Sequence, residues 1–126
     1  MTPINGQVVY NRINQLREER GIDSLAVDPI LVKASQAKAK DMANRGYFSH
    51  RSPDGKNMWF FAGSCKCSVL GENLAKKYST VEALESAWMR SKTHRENLLD
   101  ASWKKTGIGI ATANDGTIYV VQYFSK

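Results

Sequence analysis

The C-terminal part of the sequence changes its hydrophobic period, and this change limits the folds that the chain can adopt. Ile108 and Ile110 alternate with glycines, Asn114-Asp115-Gly116 is typical of a hairpin turn, and residues 117–124 are rich in β-branched and aromatic side chains. The segments before residue 100 instead repeat apolar residues at helical spacing. Helices followed by an antiparallel hairpin predict an α+β domain in which helices pack on a sheet.

Two amphipathic helices are predicted in the N-terminal part. The first follows Thr2-Pro3, which resembles an N-cap and a first-turn proline, and it stops at Gly21. The second begins at Asp28-Pro29 and stops at Gly46, because glycine favours the left-handed cap of a helix.

Two capping boxes predict a third helix and a short fourth helix. They are Ser79-Thr80-Val81-Glu82 and Thr93-His94-Arg95-Glu96. Residues 47–70 have no regular period, but their Met58-Trp59-Phe60-Phe61 cluster predicts an ordered loop.

Length and charge limit the functional classes. With 126 residues, of which 42% are hydrophobic, the chain is expected to form one domain over residues 1–126. The net charge is +6, and the segment from Lys33 to Lys66 holds seven Lys or Arg against two Asp. This excess favours phosphates, anionic headgroups or acidic glycans, or it is only a solubilising face. No RNP, zinc-finger or helix-turn-helix pattern points to nucleic acid, and no apolar run approaches the roughly 18 residues of a transmembrane helix.

The two cysteines lie in Cys65-Lys66-Cys67. A disulfide across one residue would close a small, strained ring. A metal site of cysteines alone normally needs four thiolates. Free thiols are therefore expected, with a redox-active pair as the alternative, and the compartment is left open.

The candidate chemistry lies in the two histidines of the chain, His50 and His94, and in Glu72. Two imidazoles and a carboxylate are the ligand set of an open zinc site, in which water completes the tetrahedron. Their spacing does not show that they converge, so the alternative is that three unrelated residues lie near element boundaries.

Six motifs, in order, make the chain similar to the CAP superfamily, also called the SCP domain. This is the family of cysteine-rich secretory proteins, antigen 5 and pathogenesis-related 1 proteins. The short connection between Trp88 and His94 resembles the bacterial members most. The matching stretches are Asn14 to Gly21, Ala34-x-x-Ala37-x-x-x-Asp41-Met42, Phe48-Ser49-His50, Gly71-Glu72-Asn73-Leu74-Ala75, Trp88-x-x-Ser91-x-x-His94-Arg95-x-Asn97-Leu98-Leu99, and Gly107-Ile108-Gly109 before the strand at 119–124.

The resemblance implies an α-β-α sandwich, with an antiparallel sheet between helices and a cleft lined by two histidines and two acidic residues. His50 and His94 match the histidines, and Glu72 matches the acid of the Gly-Glu-Asn motif. The second acid is replaced by Ser91, so the tetrad is incomplete. The family also implies a divalent metal, here zinc, held chiefly by the histidines. It further implies a monomer in the extracellular space or the cell envelope, whose signal peptide is absent from this sequence.

Several of these residues have a structural alternative. Glu72, beside a glycine turn, could accept bonds from buried backbone amides instead of binding metal. Asn73 is expected to bond the local backbone, and Ser91 to be a hydroxyl at a helix end. Trp88 is expected in the core, and the place of Trp103 is left open.

Three functional hypotheses follow. The first is a secreted, non-enzymatic domain that binds a divalent metal and a lipid, sterol or anionic envelope component. The alternative is a metal-dependent hydrolase or peptidase in which Glu72 or His94 is catalytic, although the sequence has no HExxH motif. The third is a protein-interaction module that uses the long loop. No residue of the sequence distinguishes this hypothesis from the other two.

Overall fold

A four-stranded sheet lies between two layers of helices in the computed structural model, which describes residues 2–126. The α+β prediction and the α-β-α sandwich are both confirmed. The elements are α1 (Gly6–Glu18), β1 (Ala26–Val27), α2 (Pro29–Arg45), α3 (Met58–Phe61), β2 (Leu70–Lys76), α4 (Val81–Arg90), α5 (Lys92–Leu99), β3 (Lys105–Thr112) and β4 (Ile118–Ser125).

The strand order is β1-β3-β4-β2. β1 is parallel to β3, and the other pairs are antiparallel, so the sheet is mixed and not wholly antiparallel as expected. The predicted hairpin is confirmed: β3 and β4 are joined by a turn at Asn114-Asp115-Gly116, where Gly116 has φ 89°. β2 was not predicted, and it forms one edge of the sheet.

Alternation along β4 builds the two halves of the core. Val120 and Phe124 face α1, α4 and α5, whereas Tyr119, Val121 and Tyr123 face α2 and α3. Trp88 and Trp103 are both buried on the α4 side, so the core position expected for Trp88 is confirmed and that of Trp103 is decided.

The second helix forms as predicted. The side chain of Asp28 accepts a hydrogen bond from the backbone of Ile30, Pro29 occupies the first turn, and Gly46 ends the helix with φ 69°. α2 lies directly on β3, because a Cβ atom at Gly107 would come within 2.1 Å of the backbone of Leu31. This contact positions the segment that follows α2, which carries His50.

The predicted starts of the other helices are wrong by one to a few residues. α1 begins at Gly6, capped by Asn5, because Pro3 is instead paired with Thr80 in an isolated β-bridge. Thr80 also caps α4 by accepting a hydrogen bond from Ala83, so the predicted cap at Ser79 lies one residue too early.

α5 also begins before its predicted capping box. Its N-cap is Ser91 rather than Thr93, and Lys92 is its first residue. His94 is therefore the third residue of the helix, one turn from the cap. Within residues 2–126, no helix is long and apolar enough to cross a membrane.

The loop between α2 and β2 is ordered, as expected, and contains the single-turn helix α3. Met58 and Phe61 pack against the core, while Trp59 and Phe60 are exposed. Cys65 and Cys67 form a disulfide with their Cα atoms 5.2 Å apart, so the expectation of free thiols is wrong. The backbone between them brings the two Cα atoms within the range that a disulfide requires.

Candidate functional site

The edge strand β2 carries Glu72 and Asn73, whose side chains point to opposite faces of the sheet. Glu72 lies on the face of Leu70 and Leu74, which pack in the α2 half of the core. Asn73 lies on the face of α4 and α5. Because β2 is at the edge, side chains from both layers meet beside it. The prediction that Glu72 sits at a glycine turn is therefore wrong: it lies within a strand.

Glu72 holds the ring of His50. Its Oε1 lies 2.5 Å from His50 Nδ1. The carboxylate side chain is only 3% exposed, whereas that of His50 is 69% exposed. The hydrogen bond to Glu72 raises the pKa of His50. No backbone amide of residues 2–126 donates to this carboxylate, so its role as an acceptor for amides is not seen.

A buried lysine, Lys38, holds the backbone of His50 and the side chain of Tyr47. Lys38 Nζ donates to the carbonyl of His50 at 3.2 Å and to the hydroxyl of Tyr47 at 3.3 Å. Burial lowers the pKa of Lys38, and the charge of Glu72 opposes this shift. The sequence carried a signal for Lys38: it lies four residues from both Ala34 and Met42, on the apolar arc of α2.

Two polar atoms beside this network have no hydrogen-bond partner among the described residues. They are Glu72 Oε2 and the hydroxyl of Tyr123, the residue opposite Glu72 on β4. Burial, and then the charge of Glu72, raise the pKa of Tyr123 well above its usual range. Sequence reasoning missed Tyr123, because only the strand register brings it beside Glu72.

His94 is held on the other face of the edge strand. Its Nδ1 lies 2.7 Å from the Oγ atom of Ser91. Its ring stacks on Trp88, with centroids 6.1 Å apart and an interplanar angle of 12°. Burial, and then the charge of His50, lower the pKa of His94.

Side chains of the motif from Trp88 to Leu99 cover the open edge of β2. Trp88 Nε1 donates to the carbonyl of Leu74 at 3.1 Å, and Asn97 Nδ2 donates to the side-chain oxygen of Asn73 at 3.0 Å. Asn73 in turn donates to the carbonyl of His94 at 3.1 Å. This backbone partner lies 21 residues away, so the expectation of a local bond for Asn73 is wrong. These bonds satisfy groups that an edge strand would otherwise expose.

A cavity of about 270 Å³ opens beside β2. Its wall is formed by β2, by α4 and α5, and by the loop after α2, and the residues that bear on function are Phe48, Lys76, Tyr78, Trp88, Ser91 and His94. We call this cavity, together with His50, which follows Phe48 by two residues in the chain, the cleft. Among residues 2–126, no three His, Cys, Asp or Glu side chains form a cluster that could hold a metal ion.

The comparison with protein families matches residues 10–124 to CAP, the cysteine-rich secretory protein family. The chain belongs to this family. The CAP domain is 35% identical over 120 residues to the YkwD protein of Bacillus subtilis (strain 168), which is 94% of this chain and 46% of that protein. It spans less than half the length of the curated relatives it matches.

Two solved bacterial structures are similar. An extracellular protein containing an SCP domain from Bacillus anthracis has 28% identity and a TM-score of 0.85, over 96% of this chain and 40% of that chain. An outer surface protein from Borrelia burgdorferi has 21% identity and a TM-score of 0.87, over 95% of this chain and 90% of that chain, and it shows the fold alone. The predicted family and its bacterial type are thus confirmed.

Proposed function

We propose that this CAP domain is a secreted, non-enzymatic binding domain whose cleft holds a divalent metal ion, zinc, between His50 and His94. One observation carries the proposal: each histidine is held through its Nδ1 atom, by Glu72 and by Ser91. A ring that donates from Nδ1 keeps its lone pair on Nε2, and metal-binding histidines are commonly oriented in this way.

The residues fit a cation in a second respect. Glu72 is buried with one oxygen unpartnered among the described residues, and a metal ion would add to the charge balance that buried Lys38 supplies in part. In this arrangement Glu72 orients His50 and does not need to ligate the metal. A related fold, that of NaASP2 at 18% identity and a TM-score of 0.66, was solved with Zn²⁺. Bound zinc would supply a positive centre that attracts an anionic or carbonyl group of the ligand.

Binding is favoured over hydrolysis because the base is badly placed. Glu72 directs one oxygen at His50, and its other oxygen is buried. A general base must instead reach the proton that it removes. The metal-dependent hydrolase, with Glu72 or His94 as catalytic residue, is therefore the second candidate.

An anionic lipid, a sterol or another envelope component is the proposed ligand of the cleft rim. Phe48 is 42% exposed there, and Lys76 Nζ lies 5.3 Å from the centre of its ring. The basic segment contributes less than its sequence indicates, because Lys38 is buried and Arg45 pairs with Asp41 and Asp54. An apolar ring beside a cation suits an anionic amphiphile.

Two observations support export. The disulfide between Cys65 and Cys67 suits an oxidising compartment, because thiols in the cytosol are kept reduced. The similar proteins of Bacillus anthracis and Borrelia burgdorferi are described as an extracellular and an outer surface protein.

Zinc-dependent stabilisation tests the metal site. Chelator-stripped protein is titrated with zinc, and the melting temperature is followed between pH 5 and 8. Zinc should stabilise it only above about pH 6, because ligand imidazoles must be neutral. The double variant His50→Ala, His94→Ala should remain folded and lose the shift, while the exposed control Lys92→Ala should keep it. An equal shift in the double variant and the parent would exclude this site.

Vesicle binding tests the rim. The protein should sediment with anionic vesicles, and salt should weaken this binding because it screens surface charge. Lys76→Glu should weaken binding more than Lys104→Glu, which makes the same charge change away from the cleft. Equal effects would point to general electrostatics and against a rim site. Zinc-dependent turnover of an ester or peptide that is lost in His94→Ala would favour the hydrolase.

A further inference from the structure

The disulfide between Cys65 and Cys67 lies outside the cleft, in the loop that joins α3 to β2. Cys65 N donates to the carbonyl of Ala62 at 2.9 Å, which ties the loop to the end of α3. The cysteines are half-buried, but Lys66 between them and the neighbouring Ser64 and Ser68 are exposed. A small thiol can therefore approach the disulfide from solvent.

This disulfide closes a loop of only three residues. In the chain-entropy model, the stabilisation that a disulfide gains from a folded chain grows with the length of the loop that it closes. Folding therefore shifts the equilibrium from dithiol to disulfide about tenfold less for a three-residue loop than for a 15-residue loop. The folded chain therefore does little to keep this bond oxidised, which is a poor property for a structural disulfide.

The charge around the disulfide favours its reduction. Residues 55–71 contain Lys56 and Lys66 and no acidic residue. A nearby ammonium stabilises a thiolate, and the thiolate is both the leaving group of thiol attack and the product of reduction. Lys66 lies between the two cysteines in the chain, and it is exposed to solvent.

Exposed apolar side chains cluster in the same stretch of chain. Trp59, Phe60 and Val69 are 42%, 57% and 39% exposed, and they are three of the seven exposed large hydrophobic residues within residues 2–126. A Cβ atom at Gly63 would lie 3.4 Å from the carbonyl oxygen of Phe60 and 3.8 Å from that of Trp59, so the aromatic turn lies close to the start of the cysteine loop. Apolar surface beside a reactive disulfide suits an unfolded polypeptide, whose apolar side chains are still exposed.

We propose that the Cys65–Cys67 disulfide is a thiol-exchange centre that oxidises dithiols in reduced, extended polypeptides. A substrate thiolate attacks one sulfur of the pair, forms a mixed disulfide and releases the other cysteine as a thiolate. The second substrate thiolate then attacks the substrate sulfur of the mixed disulfide and releases the remaining cysteine. The substrate loses two electrons and two protons, and the cysteine pair gains them. One chain thus oxidises one dithiol, and no other oxidant enters this step.

Equilibration with glutathione tests the first requirement. In about 10 mM reduced and about 0.1 mM oxidised glutathione, at least half of the pair should be reduced after acid quenching and thiol alkylation, measured by mass spectrometry. A structural disulfide would stay about 99% oxidised in the same buffer. That result, or free thiols in the protein as purified, would overturn the proposal.

Transfer to a substrate tests the second requirement. The oxidised protein is mixed with a reduced synthetic peptide that has two cysteines between leucines and phenylalanines, and peptide disulfide is measured by chromatography. One peptide disulfide should form per chain, and none with Cys65→Ser or Cys67→Ser. If these variants do not fold, the amount of peptide disulfide formed per chain of the unchanged protein still tests the proposal. If the unchanged protein forms no peptide disulfide, it does not have this activity.

Two matched comparisons assign the cause. Lys66→Glu should slow the exchange about three- to tenfold, whereas Lys104→Glu should not. The double variant Trp59→Ser, Phe60→Ser should slow transfer to the apolar peptide and leave reduction by glutathione unchanged. The control double variant Val27→Ser, Ile30→Ser removes equally exposed apolar residues elsewhere and should change neither. Equal effects of test and control variants would refute the exchange centre described here.

Discussion

Replacing Glu72 by glutamine keeps the shape of the side chain and removes the charge that holds His50. The hydrogen bond from Glu72 raises the pKa of His50 in the folded protein. A group with a raised pKa stabilises the fold fully below its unfolded pKa, here about 6.5, and this contribution is lost as the pH rises through the folded pKa. The Glu72→Gln variant should therefore lose more stability in acid than in mild alkali.

The size of this difference follows from the exposure of the pair. A buried hydrogen bond to a charged group contributes about 1.5–3 kcal/mol, whereas an exposed ion pair contributes about 0.2–1 kcal/mol. Glu72 is buried, but the side chain of His50 is 69% exposed, so solvent screens the interaction. The free energy of unfolding should fall by about 0.5–1 kcal/mol more at pH 5.5 than at pH 8.5.

Urea unfolding in the presence of a chelator measures this difference at the two pH values. Glu85→Gln is the matched control, because Glu85 pairs with Arg12, whose charge does not change in this range. Its loss of stability should be the same at both pH values. If Glu72→Gln loses equal stability at both, or more in alkali, protonated His50 is not what Glu72 stabilises.

Three further substitutions test how the cleft is built. Ser91→Ala removes the hydrogen-bond partner of His94 Nδ1 but no side-chain cap, because the Ser91 side chain makes no capping bond to α5, so unfolding experiments should show a loss of about 0.5–1.5 kcal/mol and the zinc-induced melting shift should weaken. Asn97→Ala exposes polar groups of the edge strand and should cost about 1–3 kcal/mol, with faster hydrogen exchange in β2; unchanged exchange would contradict its covering role. Gly107→Ala should cost at least about 3 kcal/mol or prevent folding, because its Cβ would collide with α2, whereas Gly6→Ala, with ordinary contacts, should be nearly neutral in the same denaturation assay.

The helices and the final hairpin could be predicted because their signals act over a few residues. The cap at Asp28, the left-handed Gly46 and the turn at 114–116 are each formed by hydrogen bonds or dihedral angles within one turn of chain. The start of α1 was wrong where a distant partner intervened, because Pro3 pairs with Thr80. Local preference decides an element only when no tertiary contact competes with it.

The two strands that were not predicted, β1 and β2, also depend on distant parts of the chain. β1 has only two residues, and it is a strand because it pairs with β3. β2 is buried along six consecutive residues, so it has no alternation of polar and apolar side chains to mark it. Its edge is covered by Trp88 and Asn97, which lie in a later segment of the chain.

The residues of the candidate site could be predicted from the sequence, but their contacts could not. The motifs around His50, Glu72 and His94 indicated which side chains could ligate a metal or carry a charge, because these properties depend on residue type. Only the tertiary structure decided that Glu72 holds His50 across 22 residues of chain and that buried Lys38 supports the same loop. Such contacts depend on the relative placement of α2 and the edge strand. That placement comes from packing of the whole core, which no short stretch of sequence contains.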